Sequence, residues 1–433
     1  MKRFLLAVFL MVSVSLLVFA GGKQEATGTQ GATAKQVAAS TVPIRFMYYA
    51  DGNEATVITP ILDRFKAKNP GIDVKLDVVP YATIDQQLPV QVQAGQGPDL
   101  ARITNFGTFK GELLDLRKYM SNPDSYVSNF PKPILEALEY GGYPDRMDVT
   151  APFVNKTLFE QAGIALPGPQ ATWQDWTKVT AEVAKKTGVP YAVSIDRTGA
   201  RFAGPAMTMG ATLINKDGKF TVDSAGFRAF AELFKSWFVD KITPPEVWLV
   251  GNGVNSCINQ FKSGNLVMCY SGSWQISGLS KDVGNKFDWI VVPNPAGPGG
   301  STGVAGGSAV AAFKHTAHPD AVAKLVEYLI QPDNYAEFSA GTLNIPAESA
   351  VAKKGVDYKA SDTAVISALK VFTAEIPKLQ DQAVELNVNP LAFAYYRGTA
   401  TRMTQYLTGE LSLSDALSRI QQDIDAAAAQ AKK

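Results

Sequence analysis

Between Pro43 and Thr104 the apolar pattern changes period four times, and this alternation restricts the fold more than any bulk property of the chain. Pro43 to Tyr49 reads as a strand, and Val57, Ile58, Ile61, Leu62 and Phe65 then recur as one stripe of a helix that Asn69, Pro70 and Gly71 end. Ile72, Val74, Leu76 and Val78 alternate with Asp73, Lys75 and Asp77, the period-two signature of a strand. Ile84, Leu88 and Val92 predict one second helix, closed by Gly95 and Gly97, and Asp99 to Thr104 predict a third strand. Strand and helix in turn are the rhythm of a parallel sheet with helices on its faces, so the chain is assigned to the α/β class.

A second region has the same grammar. Val149 to Val154 is a strand that leads through Asn155 and Lys156 into a helix around Leu158 to Ala162. Thr172 caps a helix bearing Trp173, Trp176, Val179 and Val183, and Gly188 ends it before the strand Tyr191 to Ile195. Phe227, Phe230, Leu233, Phe234, Trp237 and Phe238 share one helical stripe, a spacing that marks core packing. From Ile258 to Trp274 the chain passes from helix through the apolar strand Leu266 to Tyr270 to the turn Ser271, Gly272, Ser273. That turn delivers Trp274 to a strand's carboxyl end, where open α/β sheets place their ligand crevices. After the strand Trp289 to Val292, Pro293, Pro295, Pro298 and a glycine-rich run through Gly307 read as chain passing between lobes. Pro319 begins a helix, and from Ser361 onward the pattern is helical alone.

Met1, Lys2 and Arg3 precede an apolar stretch from Phe4 to Phe19 and the pair Val18 and Ala20, which together read as a signal peptide over residues 1–20, cleaved near Ala20 for export to the periplasm or cell exterior. Residues 21–41 are small and polar, a flexible leader. Gly21 and Gly22 stand where a lipid-modified cysteine would be needed, which disfavours a lipid anchor. The remaining ~410 residues exceed the size of one ordinary core, so two lobes are expected. With 41 basic and 40 acidic side chains the chain offers no electrostatic footprint for nucleic acid. His315 and His318 are the only histidines, which leaves little material for histidine-based catalysis or metal binding, and no metal or cofactor is expected. Cys257 and Cys269, the only cysteines, stand as a candidate disulfide in an exported chain or as two separate buried thiols.

In order along the chain, these pieces resemble the extracellular solute-binding proteins of ABC importers, in the carbohydrate group that includes the maltose-binding protein. The resemblance rests on ILDRFKAKNPGIDVKLD (Ile61 to Asp77), QAGQGPDL (Gln93 to Leu100), FVNKTLFEQAGI (Phe153 to Ile164), TWQDW (Thr172 to Trp176), QFKSGNLVMCYSGSW (Gln260 to Trp274) and LSLSDAL (Leu411 to Leu417). It implies a two-lobed periplasmic-binding-protein-like fold with a ligand cleft between the lobes and a helical C-terminal part. Residues 42–148 with 302–346 would form lobe one, and residues 149–301 with 347–433 lobe two.

A pyranose offers an apolar C–H face and a rim of hydroxyls, so its site needs flat aromatic rings beside planar polar groups. The resemblance puts Trp274 at the sugar-stacking tryptophan, Tyr48, Tyr49 and Asp51 at the contacts after the first strand, and an aromatic of the pair Tyr395 and Tyr396, with Arg397, in the cleft. Tyr395 stands for that pair among the candidates. Asn105 and Phe106 follow a strand's carboxyl end, and Gly306, Gly307 and Ser308 either approach the ligand with their backbone or serve as a hinge. Phe153 and Asn155 are read as structural. The expected function is capture of a mono- or oligosaccharide and its delivery, unaltered, to the membrane permease of an ABC importer by a monomer. The alternatives are an exported carbohydrate-active enzyme, which would need two carboxylates facing across a bond, and the same scaffold serving a polyol, a glycerol phosphate or a peptide.

Overall fold

The computed structural model describes residues 41–250, 256–358, 360 and 362–430; the expected signal peptide and all but Thr41 of the expected leader lie outside the described residues. Eight strands, β1 (Val42–Tyr48), β2 (Ile72–Val78), β3 (Leu100–Ile103), β4 (Gly142–Asn155), β5 (Tyr191–Ile195), β6 (Leu266–Gly272), β7 (Trp289–Val291) and β8 (Ala305–Ala312), form one sheet in the order β2-β1-β3-β8-β4-β6-β5, with β7 paired to β4. The first three strands are parallel, as the alternation predicts. The sheet as a whole is mixed, because β8 runs antiparallel to both β3 and β4, and β4 antiparallel to β6.

β4 holds the two halves together. Its residues Gly142 to Val149 pair with β8, whereas Thr150 to Val154 pair with β6. A third segment joins it where Met147 bridges Ile345. Sequence reading starts this strand seven residues late, at Val149, because Pro144, Asp145, Arg146 and Asp148 are polar or turn-forming; all four are buried, and a register shift falls between Pro144 and Arg146. β8 is the second correction. Its Ala and Gly residues carry no strand propensity and read as a loop, yet burial between β3 and β4 overrides propensity. At Gly307, φ is 146° and a Cβ would stand 2.7 Å from the Arg146 carbonyl oxygen, so only glycine fits there. The helix drawn through Ile84, Leu88 and Val92 is two, Tyr81–Gln86 and Leu88–Gln93, since Pro89 cannot donate back into the preceding turn.

Alternation along β1 divides the first half's core. Phe46 and Tyr48 pack with Ile58, Phe65 and Val326 on one face of the sheet, while Met47 and Tyr49 meet Ile84, Leu88 and Ile103 on the other. A separate core gathers Phe153, Trp173, Phe202, Trp237 and Tyr270 with Phe372, Tyr395, Met403 and Ile420 of the C-terminal helices. Of the stripe on the helix Ala225–Val239, Phe227, Phe230, Phe234 and Trp237 are buried there as their spacing predicts, and Leu233 and Phe238 pack partly buried against it. Thr172 and Asp175 form a reciprocal capping box at the start of Trp173–Thr187.

Candidate functional site

A cavity of about 440 Å³ opens between the two halves. One wall comes from the chain just past β1 (Tyr49, Asp51), from the helix after β2 (Tyr81, Asp85) and from the residues after β3 (Thr104, Asn105). The opposite wall is built from Arg197, Thr198, Ala200 and Arg201 after β5, Trp274 after β6, and Phe393, Tyr396, Arg397 and Thr401 of the helix Ala392–Thr408. Arg146 and Asp148 of β4 and Ala305, Gly306 and Gly307 of β8 make the floor. The contributing parallel strands all present their carboxyl ends, as the geometry of open α/β sheets requires.

The walls are aromatic with polar rims. Tyr49 and Tyr81 meet edge to face at 5.1 Å, and the Tyr81 hydroxyl lies 2.9 Å from Thr104 Oγ1. The benzenoid edge of Trp274 rests on Gly272, where a Cβ would fall 1.8 Å from the ring. Above that indole lies the Arg201 guanidinium, 4.1 Å from the ring centroid. Arg397 stacks on Phe393 at 4.1 Å and reaches across the cavity to Asp85 at 3.0 Å.

Beneath the floor is a buried ionic cluster. Arg146 donates to Asp51 at 2.7 Å, to Glu54 at 2.9 Å and to Asp148 at 2.7 Å. Arg102, fully buried, donates to Asp145 at 2.7 Å and to the Tyr49 carbonyl at 2.9 Å. Ser273 Oγ donates to Asp148 at 2.7 Å and Ser308 Oγ to Asp145 at 2.5 Å. Burial pushes the Asp148 carboxyl above its ordinary value despite Arg146 and the Ser273 hydroxyl. Burial opposes ionisation of Glu54 too, but Arg102 and Arg146 overcome it and hold that carboxyl below its ordinary value.

Of the residues singled out from sequence, the structure brings Trp274, Tyr49, Asp51, Asn105, Gly307 and Arg397 to the cavity. Four others lie elsewhere. Tyr48 points to the opposite face of β1 from Tyr49 and is fully buried in the core. Phe106 packs with the core beside Ile103 and Phe109, Ser308 is buried against Asp145, and Tyr395 stacks on Phe220 at 5.4 Å. Its neighbour Tyr396 is the one that lines the cavity. Phe153 is core, and Asn155 caps the helix Lys156–Ala162.

Sequence reading misses Tyr81, Asp85, Arg197, Arg201 and Phe393. Arg197 and Arg201 follow the predicted strand Tyr191 to Ile195, so the carboxyl-end rule that selects Trp274 selects them as well. Arg146 and Asp148 lie where a strand was not expected. Cys257 and Cys269 are joined as a buried disulfide, tying the start of the helix Ser256–Lys262 to β6. Asp196 stands beside them, its carboxyl pushed up to about 6 by burial. Sulfurs bonded to one another are not thiolate ligands, so this trio does not make a metal centre.

Comparison with known proteins agrees with this architecture. Residues 49–336 match the family model of the bacterial extracellular solute-binding protein, and the chain belongs to that family. A Brucella abortus (strain 2308) protein, whose name states a binding role and no ligand, is 27% identical over 325 residues, covering 72% of this chain and 76% of the relative. The maltodextrin-binding protein MdxE of Bacillus subtilis (strain 168) is 23% identical, with 85% and 87% covered. Among solved structures, an ABC substrate-binding protein from Listeria monocytogenes in complex with cycloalternan superimposes with a TM-score of 0.76 at 18% identity, over 90% of this chain and 99% of that one. Maltose-bound MalE3 of T. maritima gives 0.72 at 19% identity, over 89% and 99%. The fold is therefore the two-lobed one of these binding proteins, with a helical C-terminal part.

Proposed function

We propose that this protein is an exported binding protein that encloses a sugar in the cavity between its lobes and hands it, chemically unchanged, to the permease of an ABC importer, acting as a monomer. The observation that carries the reading is the cavity itself, whose opposed walls offer Tyr49, Tyr81, Trp274, Phe393 and Tyr396 beside arginine and carboxylate rims. Flat rings suit the C–H faces of a pyranose, and planar polar groups suit its vicinal hydroxyls. In support, one similar protein is named for maltodextrin, and two similar structures hold maltose and cycloalternan. The carboxylates lining the cavity are engaged by arginines, Asp51 and Asp148 by Arg146 and Asp85 by Arg397. That is a poor setting for the opposed acid and base of a glycosidase. We assign residues 42–148 with 302–346 to lobe one and 149–301 with 347–433 to lobe two, closing about β4 and β8.

A thermal-shift screen over a carbohydrate library tests this. A sugar at a hundred times its dissociation constant adds about 2.7 kcal/mol of apparent stability. A library with no stabilising sugar refutes the assignment, and release of reducing ends from an oligosaccharide at catalytic rates replaces it with an enzyme.

A further inference from the structure

The cavity's charges do not cancel wall by wall. Each carboxylate at its lining or floor has an arginine in contact, Asp51, Glu54 and Asp148 sharing Arg146, Asp145 on Arg102 and Asp85 on Arg397, so the floor carries an excess of negative charge and the opposite wall an excess of positive charge. Two guanidiniums on the lobe-two wall, Arg197 and Arg201, form no ion pair among the described residues. Arg197 is fixed by neutral acceptors, donating from Nε to the Trp248 carbonyl at 3.1 Å and from a terminal nitrogen to Thr404 Oγ1 at 3.3 Å. Those bonds orient the group and leave its charge without an ion-pair partner in contact.

Arg201 is held in another way. Its guanidinium lies over the Trp274 ring at 4.1 Å, and its Nε is buried with no hydrogen-bond partner. A buried donor without an acceptor costs free energy until something supplies one. The carboxylate of Asp196 feels this charge but makes no ion pair with it and is itself bonded to Ser271 Oγ at 2.6 Å. Arg201 also sits in the first turn of the helix Gly199–Thr208, whose positive end faces the same wall through Thr198 and Ala200.

From these observations we infer that the solute is an acidic sugar, carrying a carboxylate, phosphate or sulfate that Arg201 and Arg197 receive while its ring lies against the aromatic walls. The inference rests on the sugar-binding reading and narrows it. A neutral sugar needs no cation left without an ion-pair partner at the wall; an oxyanion matches the forked N–H geometry of a guanidinium.

The test is calorimetric titration of wild type, Arg201→Gln and Arg197→Gln with matched pairs: D-glucuronate and D-glucose, D-galacturonate and D-galactose, glucose 6-phosphate and glucose, digalacturonate and galactobiose. Circular dichroism melts confirm that each variant folds. At least one acidic member is expected to bind about tenfold or more tighter than its neutral counterpart. Arg201→Gln should cut that preference by about 10- to 100-fold, whatever its effect on the neutral sugar. Raising salt should weaken the acidic ligand alone. The uronate and phosphate arms identify which anion is read. Neutral sugars binding as tightly as acidic ones, or both variants weakening the two classes alike, overturn the inference and leave the sugar reading standing. Absence of binding by every sugar, acidic and neutral, overturns both.

Discussion

Replacing Arg146 by methionine removes the centre of the ionic cluster while keeping an unbranched apolar stem in its place. Arg146 is 3% exposed and its partners Glu54 and Asp148 are each 4% exposed, against 18% for Asp51, so water can take over little of the lost contact to Glu54 and Asp148. Four carboxylates, Asp51, Glu54, Asp145 and Asp148, would then share the single guanidinium of Arg102. Removing one partner from a buried ionic set costs about 3–5 kcal/mol, because the remaining charges stay desolvated and unpaired. At no more than about 2 °C per kcal/mol in a chain of this length, the melting temperature should fall by at most about 6–10 °C. The sign of the pH effect follows from the cluster. In the native protein Glu54 is held below its ordinary value and so adds stability that is lost as pH falls through its folded value. Asp148, already raised, contributes in the opposite direction, losing stability as pH rises through its folded value. Without Arg146 both carboxyls rise, and a raised carboxyl is most favourable protonated. The variant's deficit should therefore be largest near pH 8 and shrink toward pH 5, as read by paired thermal melts of variant and wild type. A deficit below about 1 kcal/mol at pH 8, or one that does not change with pH, would refute the account of the cluster.

Trp274→Ala should weaken sugar binding by about tenfold or more while leaving the melting temperature nearly unchanged, since the half-buried ring rests on Gly272 at the cavity and not in the core. Calorimetry and a melt on the same sample check this, and a collapse of the ligand-free protein's stability would mark the indole as core. Reducing the Cys257–Cys269 bond, whose cysteines are 12 positions apart, should cost about 3 kcal/mol by chain entropy and lower the urea midpoint. An unchanged midpoint with and without reductant would show that the bridge does not stabilise the fold.

The sequence discloses those elements whose period is set by one buried face. β1, β2, β5 and the helix Ala225–Val239 each alternate cleanly, and each lies within a residue or two of its expected place. β8 and the first half of β4 are illegible for a shared reason. They are buried on both sides and carry small or charged residues, so no polar face alternates with an apolar one. The candidate site divides in the same manner. Tyr48 and Tyr49 are equivalent as neighbours at the end of a strand, and only the pleat decides that Tyr49 faces the cavity and Tyr48 the core. Tyr395 and Tyr396 pose the helical form of this problem, about 100° apart, and the core takes the first. Trp274 is found because a tight turn at a strand's end leaves it no other direction.

The difficulty with β4 also explains its chemistry. A strand that pairs with β8 along one part and with β6 along the other is not fixed by a single apolar core, and apolar side chains at the cavity floor would offer nothing to specify register. Charged side chains do: Asp145 turns to Arg102 and Ser308, while Arg146 and Asp148 turn to the other face, so a one-residue slip would break every ionic contact at once. Asp148 is shared with the hydroxyl of Ser273, and the next residue is Trp274. The ionic floor and the indole wall are thus one residue apart through a single carboxylate. Disturbing the floor should therefore move the indole and weaken binding even where the fold survives, whereas disturbing the indole leaves the floor intact. That asymmetry follows from the direction of support, from crossing strand to turn to aromatic ring.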